Sequence, residues 1–470
     1  YDKLGRRKTM TVLGQPVVNY DYYDNGWIEN VRQIINGIEQ KFNFLYDNGG
    51  RRQRLKAFNG VSLVTETIYG FDNASRLLNL QHLNSLSQIV EQVGYTYDAN
   101  GNRTSMNRPS VTLPLPNPAS NTSYNNANQM LSFNDKNITY DNNGNMTSVT
   151  NTCGTTNYTW DVRNRLAGIS GFTVNCSPLT ANFKYDALGR RIEKTVNGKT
   201  IQYLYDGLDI VQEIESGTVT VNYIRTLNID EPLARIKSDG TIRYYQQDAL
   251  GSVIALTDEN GVIRTQYVYD PHGDTTVIGE ASDNPFQFAG RENDGNGHLF
   301  ERNRYYSYEL SRYISQDPIG LAGGDVNYYV RVGNNPVNWI DPLGLFNPAK
   351  GLSALGNAAI SGFTAGSGTA KYAIAAGLSP ASATGVGSLP PLALAAWGTW
   401  NFKSSLAAWQ RATQQWNEAL SEDWSQAAWK NLYGLLPGGT HYDDPCEPSG
   451  PVEYIKTQGW WKFLKDLGYF

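Results

Sequence analysis

A short phrase recurs through much of the chain: an aromatic residue, an aspartate, two or three variable residues, a glycine or asparagine, and then a basic or polar residue. It reads YDNGGRRQRL from Tyr46 and YDALGRRIEK from Tyr185. Further copies begin at Tyr1, Phe71, Tyr97, Tyr140 and Trp160, and weaker ones at Tyr23, Tyr124, Tyr205 and Tyr269. Successive copies mostly lie 16 to 27 residues apart, so the chain is built from one repeated unit.

The residue types of the phrase predict a tight turn. Aspartate or asparagine is favoured at the first position of a type I turn and glycine at the fourth, so each copy reverses the chain between two strands. About twenty residues supply two strands of five or six residues and two turns. A single hairpin is marginally stable, whereas a row of hairpins forms a continuous sheet. We therefore predict a mainly β fold made of consecutive hairpins.

The composition indicates a folded protein without the charge of a nucleic-acid binder. With 470 residues, of which 40% are apolar, the chain can bury one large core or two to three ordinary ones. The net charge is −5, and basic and acidic residues are interspersed, so no basic surface is available to neutralise phosphates. Because Tyr1 lies inside a copy of the phrase, we expect the natural protein to extend N-terminally, where a secretion signal would lie.

Residues that bind metals or form disulfides are few and scattered. Of the three cysteines, Cys153 and Cys176 can form at most one bridge, and none has metal-ligand spacing. The four histidines are far apart in sequence: His82, His272, His298 and His441. The cluster of His441, Asp443, Asp444 and Cys446 is more simply a loop bounded by glycine and proline than a reactive site. We predict no metal and no other cofactor.

At this point a family resemblance is apparent. The phrases resemble the tyrosine-aspartate (YD) repeats of the rearrangement-hotspot (Rhs) proteins, and residues 286–345 resemble the Rhs repeat-associated core. The matching run is FQFAGRENDGNGHLFERNRYYSYELSRYISQDPIGLAGGDVNYYVRVGNNPVNWIDPLGL. Two departures are visible, since the usual Thr-Gly-Leu reads Gly297-His298-Leu299 and the usual Gly-Arg-Phe reads Ser311-Arg312-Tyr313. Both keep the character of a turn followed by a strand.

The resemblance implies a ribbon of β-strands that spirals into a hollow shell around a variable C-terminal polypeptide. Residues 1–285 would be an N-terminally incomplete repeat shell, residues 286–345 the core that closes its end, and residues 346–470 the enclosed cargo. Such containers belong to polymorphic toxins of bacterial competition and to insecticidal toxin complexes. The implied location is secreted or cell-surface, and the implied partners are the chain's own C-terminal region, a secretion apparatus and an immunity protein.

Within the core, the phrase Asp-Pro-x-Gly-Leu occurs twice, beginning at Asp317 and at Asp341. One interpretation is two tight turns, because Asp-Pro-x-Gly suits a type I turn. The other is a carboxylate pair, brought together by the intervening strands and the Asn-Asn-Pro turn at 334–336. Two adjacent carboxyl groups cannot both ionise easily, so one keeps its proton and the pair can act as acid and base. The residues alone leave both interpretations open.

The resemblance adds a reaction to this pair. In Rhs-like proteins the core cuts its own chain just after the second phrase, which corresponds here to the bond between Leu345 and Phe346. Asp317 and Asp341 would then be the two catalytic carboxyls, one activating water and the other protonating the leaving amine. Arg312 lies close in sequence and would orient or ionise one of them, unless it is simply a solvated residue at a strand end.

Beyond Phe346 the composition changes abruptly. Residues 351–370 and 372–402 carry no charge and are rich in alanine, glycine and serine. Gly362 and Gly366 form a G-x-x-x-G pattern that allows close helix contact in membranes. Many polar residues and prolines weaken this signal. Residues 351–420 are therefore expected to form one of two structures. One is a membrane-contacting helical hairpin, and the other is a soluble helical pair or a cargo linker.

The following segment has helical periodicity, so we expect a helical C-terminal extension. Phe402, Leu406, Trp409, Trp416 and Leu420 lie on one helical stripe. This stripe would be a core or an interfacial face, and a second short helix is predicted at 422–433. Three functions remain open: a self-processing toxin container, a non-enzymatic cell-surface or wall-associated scaffold that binds carbohydrate or partner cells, and a membrane-active effector working through residues 351–420.

Overall fold

The computed structural model describes residues 1–345 except residues 13, 117, 174 and 324. Within each of three sheets, every strand pairs antiparallel with its neighbours in sequence. The first sheet contains β1 (Thr9–Met10), β2 (Val18–Tyr22), β3 (Ile28–Ile35), β4 (Ile38–Tyr46), β5 (Arg52–Asn59), β6 (Ser62–Phe71), β7 (Leu77–Asn84), β8 (Ile89–Tyr97) and β9 (Arg103–Asn107). The predictions for residues 346–470, including the helical extension and the membrane-contacting segment, lie outside the described residues.

The second sheet is the longest and the third the shortest. The second contains β10 (Thr122–Tyr124), β11 (Met130–Phe133), β12 (Lys136–Tyr140), β13 (Met146–Asn151), β14 (Gly154–Trp160), β15 (Leu166–Phe172), β16 (Pro178–Tyr185), β17 (Arg191–Val196), β18 (Lys199–Asp206), β19 (Asp209–Glu215), β20 (Thr218–Arg225), β21 (Pro232–Lys237), β22 (Ile242–Gln247), β23 (Val253–Thr257), β24 (Ile263–Tyr269) and β25 (Thr275–Gly279). The third contains β26 (Glu292–Asn293), β27 (His298–Glu301), β28 (Arg304–Ser307) and β29 (Arg312–Tyr313). Short 3₁₀ turns occur at Phe288–Gly290, Gly320–Gly323 and Val332–Asn334.

The YD phrase forms the predicted turn. Between β4 and β5, the N–H of Gly50 donates to the carbonyl of Asp47 at 2.9 Å. The Asp47 side chain accepts the N–H groups of Gly49 and Arg51, each at 2.9 Å. Gly50 has a φ of +80°, which glycine adopts without the strain of a Cβ. The pairing register shifts by one residue next to Tyr46, so each phrase is a turn with a β-bulge.

The basic residue of the phrase connects successive repeats. Arg51 donates to Asp47 of its own turn at 2.7 Å, covers the ring of Phe71 at 4.9 Å and donates to the carbonyl of Asp72 at 3.3 Å. Arg76, Arg165 and Arg190 make the same three kinds of contact. Since each of these arginines contacts the next aromatic residue, the repeats that carry them stabilise the repeats that follow.

The aromatic residue of the phrase connects a repeat to the one before it. The hydroxyl of Tyr46 donates to the carbonyl of Ile28 at 3.0 Å, and that of Tyr97 donates to the carbonyl of Leu77 at 2.7 Å. These carbonyls lie at the starts of preceding strands, where the bulge leaves the ladder incomplete. The tyrosine of the phrase therefore contacts the preceding repeat, the aspartate holds its own turn, and the arginine contacts the following repeat.

Alternation along the strands creates buried faces that join the sheets. In β4, Phe42 and Phe44 are buried and pack with Ile224 and Tyr244 of the second sheet. The third sheet packs against the middle of the second, where Phe300 and Ile314 join the core formed by β11 to β16. Because apolar burial drives this packing, residues 286–345 are held against the repeat sheet.

Covalent and ionic links add to this packing. Asp294 is fully buried and pairs with Arg191 of β17 and with Lys194, the latter at 2.9 Å. Burial alone would raise the pKa of Asp294, but the two cations outweigh it and lower this pKa to about 2. The predicted bridge between Cys153 and Cys176 is present, with 5.0 Å between the Cα atoms. Among the described residues there is no helix with the length and apolar character needed to cross a membrane.

Candidate functional site

The two Asp-Pro-x-Gly-Leu phrases meet at one arginine of the third sheet. Nη2 of Arg304 lies 3.0 Å from Oδ2 of Asp317 and 3.5 Å from Oδ2 of Asp341. The side chains of Arg304, Asp317 and Asp341 are 2%, 7% and 0% exposed. Two buried carboxyl groups therefore share one cation, with the small exposed fraction on Asp317.

Both phrases are also turns, as the simpler interpretation of the sequence predicts. In the first, the N–H of Gly320 donates to the carbonyl of Asp317 at 2.9 Å, and the Asp317 side chain accepts the N–H of Ile319 at 3.0 Å. In the second, the Asp341 side chain accepts the N–H of Leu345 at 3.1 Å. The turn and the carboxylate pair are thus compatible, because each aspartate uses one oxygen for the turn and presents the other to Arg304.

The loop between β27 and β28 holds the second phrase residue by residue. Side chains at 302–304 donate in order to the backbone carbonyls of 342–344. The pairs are Arg302 with Pro342, Asn303 with Leu343 at 3.0 Å, and Arg304 with Gly344. Three consecutive donors thereby fix the backbone that leads into Leu345.

Two glycines allow this close approach. Gly344 has a φ of +65°, and a Cβ there would overlap the carbonyl of Glu301 and lie 3.1 Å from the backbone nitrogen of Arg304. A Cβ on Gly323 would lie 2.6 Å from Oδ2 of Asp317 and 3.5 Å from the carbonyl oxygen of Leu345. The absence of a side chain at Gly323 therefore leaves the Asp317 carboxyl close to the carbonyl of the predicted cleavage bond.

The electrostatics of the site favour a proton on Asp317. Burial raises the pKa of Asp317 from 3.8 to about 6, although Arg304 and the N–H of Ile319 oppose this shift and Asp341 adds to it. Arg304 is held in place by three further contacts, since it donates to the carbonyls of Gly344 and Tyr328 and stacks on the ring of Tyr313 at 3.6 Å. One cation, fixed by these contacts, therefore orients both carboxyl groups.

A buried polar group lies behind Asp341. The hydroxyl of Tyr313 is 2.7 Å from Oδ2 of Asp341 and also contacts the carboxyl of Glu301. Nε of Arg331 donates to Glu301 at 2.8 Å. Glu301 and Tyr313 are both 0% exposed. Asp341 is thus connected to a second buried carboxyl through one hydroxyl.

The repeat sheet also helps to hold the second Asp-Pro-x-Gly-Leu phrase in position. Asp230, in the loop after β20, accepts from Arg302 at 2.7 Å and from Arg291 at 2.5 Å. Both arginines also contact the carbonyl of Pro342. Burial would raise the pKa of Asp230, but the charges of Arg291 and Arg302 lower it. A carboxylate of the shell thereby holds the two arginines on the second phrase.

The contacts of Arg312 are with groups other than the aspartates that it was predicted to orient or ionise. Its Nη2 donates to the carbonyl of Asn128 at 2.6 Å, and its guanidinium lies over the rings of Tyr329 and Tyr124 at 4.9 and 5.3 Å. It is 5% exposed, so it is not a solvated strand-end residue either. The contacts correct the expectation for Arg312, because β29 directs this side chain toward β10 and β11 while Arg304 from β28 reaches the aspartates.

Sequence reasoning missed Glu301, Arg302, Asn303, Arg304 and Tyr313. A signal was present, because four consecutive charged or polar residues interrupt an otherwise aromatic run in HLFERNRYY. Buried charges in such a run are uncommon unless they are paired.

Between residues 1 and 345 as described, His, Cys, Asp and Glu side chains form no group able to hold a metal ion. Phe346 lies outside the described residues.

A model of the teneurin YD-shell matches residues 7–336 of this chain. The chain belongs to the teneurin YD-shell family. Among curated relatives of this YD-shell protein, the tRNA3(Ser)-specific nuclease WapA of Bacillus spizizenii is 31% identical over 353 residues, covering 69% of this chain and 14% of WapA. The probable deoxyribonuclease RhsA of Dickeya dadantii is 32% identical over 205 residues, covering 40% of this chain and 14% of RhsA. The resemblance to Rhs proteins is confirmed.

A solved structure shares the fold of the YD-shell protein. A Photorhabdus luminescens Tc holotoxin pore aligns with a TM-score of 0.56 at 18% identity, covering 75% of this chain and 21% of that chain. The predicted mainly β repeat fold is therefore confirmed. The YD-shell protein is related to polymorphic toxins, and it spans less than a quarter of the length of the proteins compared here.

Proposed function

We propose that residues 1–345 form part of a toxin container that cuts its own chain between Leu345 and Phe346. The observation that carries this proposal is the meeting of Asp317 and Asp341 on Arg304, with the Asp317 carboxyl and the Leu345 carbonyl both beside Gly323. A pair of carboxyl groups, one protonated and one ionised, can act as the acid and the base of peptide hydrolysis. The bond to be cut is part of the same chain and is held by the loop at 302–304.

The reaction is a hydrolysis that needs only water. Asp317 carries a proton in mildly acidic solution and Asp341 accepts one. A water molecule adds to the carbonyl carbon of Leu345 while its proton passes to Asp341. The carbon–nitrogen bond to Phe346 then breaks, and the proton of Asp317 goes to the departing nitrogen. The products are a new carboxyl group on Leu345 and a new amino group on Phe346.

The tethered geometry replaces a substrate pocket. Three donors fix the carbonyls of residues 342–344, so the reacting bond is presented without a binding step. Each molecule cuts once, and a modest rate is sufficient. Because Asp230 of the repeat sheet orients Arg291 and Arg302, cleavage requires the sheet to be folded first.

Residues 346–470 would be the cargo that cleavage separates from the container. The names of two relatives give a tRNA nuclease and a probable deoxyribonuclease, which fits one type of container with different cargoes. Delivery to another bacterium or to a host would place the protein outside the producing cell. It would also require a secretion apparatus and, in a bacterial competition, an immunity protein.

The experiment compares three aspartate substitutions on denaturing gels of freshly made protein. Asp317→Asn and Asp341→Asn keep the size and turn-forming character of each residue while removing a titrating group, so each variant is expected to stay full length. Asp325→Asn is the control, because its carboxyl accepts the N–H of Asn327 at 2.8 Å in the same segment, outside either phrase. A folded wild type that stays uncut, or two cut variants, would contradict the proposal.

A further inference from the structure

The Tyr313 hydroxyl lies between two buried carboxyl groups. It is 2.7 Å from Oδ2 of Asp341 and in shorter contact with Oε2 of Glu301. All three residues are 1% exposed or less. Burial raises the pKa of Tyr313 well above its ordinary value, so this hydroxyl keeps its proton.

A hydroxyl has one proton to donate, and an ionised carboxylate can only accept. If Glu301 and Asp341 were both ionised, the Tyr313 proton would satisfy one of them and leave the other facing an oxygen lone pair at hydrogen-bond distance. One of the two carboxyl groups therefore holds a proton and donates it to the Tyr313 oxygen, while Tyr313 donates to the other. The geometry thus requires a shared proton between Glu301 and Asp341.

The donors around each carboxyl decide which group is ionised. Asp341 accepts the N–H of Leu345 at 3.1 Å and faces Arg304 at 3.5 Å, in addition to Tyr313. Among the described residues, Glu301 accepts hydrogen bonds from the side chains of Arg331 and Tyr313, and the charge of Arg291 also acts on it. Burial raises the pKa of Glu301, with Asp341 adding to the shift and Arg331 and Tyr313 opposing it. Asp341 therefore has more donors around its oxygens than Glu301 has, an arrangement that favours the negative charge on Asp341 and the proton on Glu301.

The hydroxyl is a feature of this chain. Phenylalanine is the residue that the Rhs resemblance leads one to expect at this position, in the usual Gly-Arg-Phe, and the chain has Tyr313 instead. A phenylalanine ring would fill the same space and stack on Arg304 without connecting the carboxyl groups. The hydroxyl is therefore the part of Tyr313 that connects Glu301 to Asp341.

We propose that Glu301 is a carboxyl that keeps its proton next to this site and that Tyr313, by linking it to Asp341, keeps Asp341 ionised as the base of the cleavage reaction. Glu301 and Tyr313 are positioning residues, since neither touches the Leu345 carbonyl in the contacts described above. The inference rests on the proposed function. It goes further by naming Tyr313 and Glu301 as the groups that keep the proposed base, Asp341, ionised.

The proposal predicts a change in the acid limb of the cleavage rate against pH. The charged and titratable groups facing Asp341 are Glu301, Arg304, Tyr313, Asp317 and Arg331. Tyr313→Phe leaves all the other groups in place and removes one donor to the Asp341 carboxylate. Losing a hydrogen bond to the charged form makes protonation easier, so the acid limb should move to higher pH by roughly one unit.

Glu301→Gln separates the proposal from its reverse. A glutamine can donate from Nε2 to the Tyr313 oxygen and accept from Arg331 through Oε1, as protonated Glu301 does. Cleavage and its acid limb should therefore stay within about threefold and a few tenths of a pH unit of wild type. If Glu301 instead had to accept from both Tyr313 and Arg331, the amide would lose one of these bonds and cleavage would slow.

The experiment follows the cut fraction after the full chain is diluted from urea into buffers across the acid to neutral range. Tyr306→Phe is the matched control, because it removes a neighbouring buried hydroxyl that contacts His272 at 3.4 Å instead of the aspartates. Melting curves of each variant in an Asp317→Asn background establish folding without cleavage. If Tyr313→Phe does not fold, Glu301→Gln alone decides.

Two results would overturn the inference: a Tyr313→Phe profile that superimposes on wild type, or a Glu301→Gln variant slowed more than about tenfold. Both leave the proposed function intact, provided that wild type is cut and Asp341→Asn is not. An uncut, folded wild type would instead reject the proposed function itself.

Discussion

Asp317 and Asp341, 24 positions apart in sequence, both contact Nη2 of Arg304, at 3.0 and 3.5 Å. A single nitrogen thus holds the acidic residues of two copies of the same phrase. The first copy supplies a carboxyl group, and the second supplies both a carboxyl group and the chain that ends at Leu345. This relationship gives the doubled phrase a reason beyond two turns.

Arg304→Lys should slow cleavage strongly. A lysine cannot donate at once to the carbonyls of Gly344 and Tyr328 and to both aspartates, as the arginine does. We expect a loss on the order of tenfold to a hundredfold, because the reacting groups are displaced by a fraction of an ångström to an ångström. The rate is measured from the full-length band on denaturing gels.

Arg312→Lys is the control for this variant. Arg312 contacts the carbonyl of Asn128 and the ring of Tyr329, so its replacement should lower the melting temperature without a comparable loss of cleavage. Equal slowing in the two lysine variants would mean that Arg304 has no special place in the reaction.

Cleavage should slow as the pH rises above about 6. The folded pKa of Asp317 is raised to about 6, mainly by burial, so the proton needed for the leaving nitrogen is present below that value and lost above it. The rate of the full chain is measured across the neutral range, with the folded fraction followed by circular dichroism. A rate that rises steadily through this range would contradict Asp317 as the acid.

Gly323→Ala should hinder cleavage without unfolding the protein. The new methyl group would lie 2.6 Å from Oδ2 of Asp317 and 3.5 Å from the Leu345 oxygen, so it would push these groups apart. We expect a decrease on the order of tenfold or more. Gly94→Ala is the control, since its methyl group would meet only the Asn107 carbonyl, at 4.0 Å. Equal cleavage rates in the Gly323→Ala and Gly94→Ala variants would argue against a reaction between Asp317 and the Leu345 carbonyl beside Gly323.

Much of the repeat fold could be predicted from the sequence because its determinants are local. The aspartate and the last glycine of YDNGG are the first and fourth residues of one turn, and Arg51, the residue that follows, contacts Asp47. The packing of Phe42 on Tyr244 could not be predicted, since no periodicity specifies which sheet covers which. The contact of Arg51 with Phe71 could not be predicted either, although the two residues belong to consecutive copies of the phrase.

The candidate site divides in the same way. The pairing of Asp317 with Asp341 was suggested by an identical phrase on both sides of a turn. Nearness in sequence to Asp317 favoured Arg312, and the charged run at 301–304 does not by itself show that Arg304 is the residue that reaches the aspartates. Tertiary packing of the β27–β28 loop against the second phrase decides between the two arginines, and it depends on Gly344.

Gly189→Val tests the energetics of the repeat. Gly189 has a φ of +84° and nothing within 4 Å of a Cβ position, so the substitution strains the backbone without a steric clash. The expected loss is about 1 kcal/mol or more, with proteolysis starting near the β16–β17 turn because each hairpin depends mainly on its neighbours. Leu188→Val, at an exposed position of the same turn, should have little effect. Uniform loss of the whole fold would argue against a repeat sheet.

The most direct measurement is the intact mass of the freshly folded wild-type chain made in ordinary water and in water labelled with heavy oxygen. We expect a piece of 125 residues beginning at Phe346, and a larger piece whose Leu345 carboxyl carries one heavy oxygen from the attacking water. Asp317→Asn and Asp341→Asn should each give one mass, that of the full chain. A folded wild type of full-length mass, a cut at another bond, or a Leu345 terminus without the label would contradict the account.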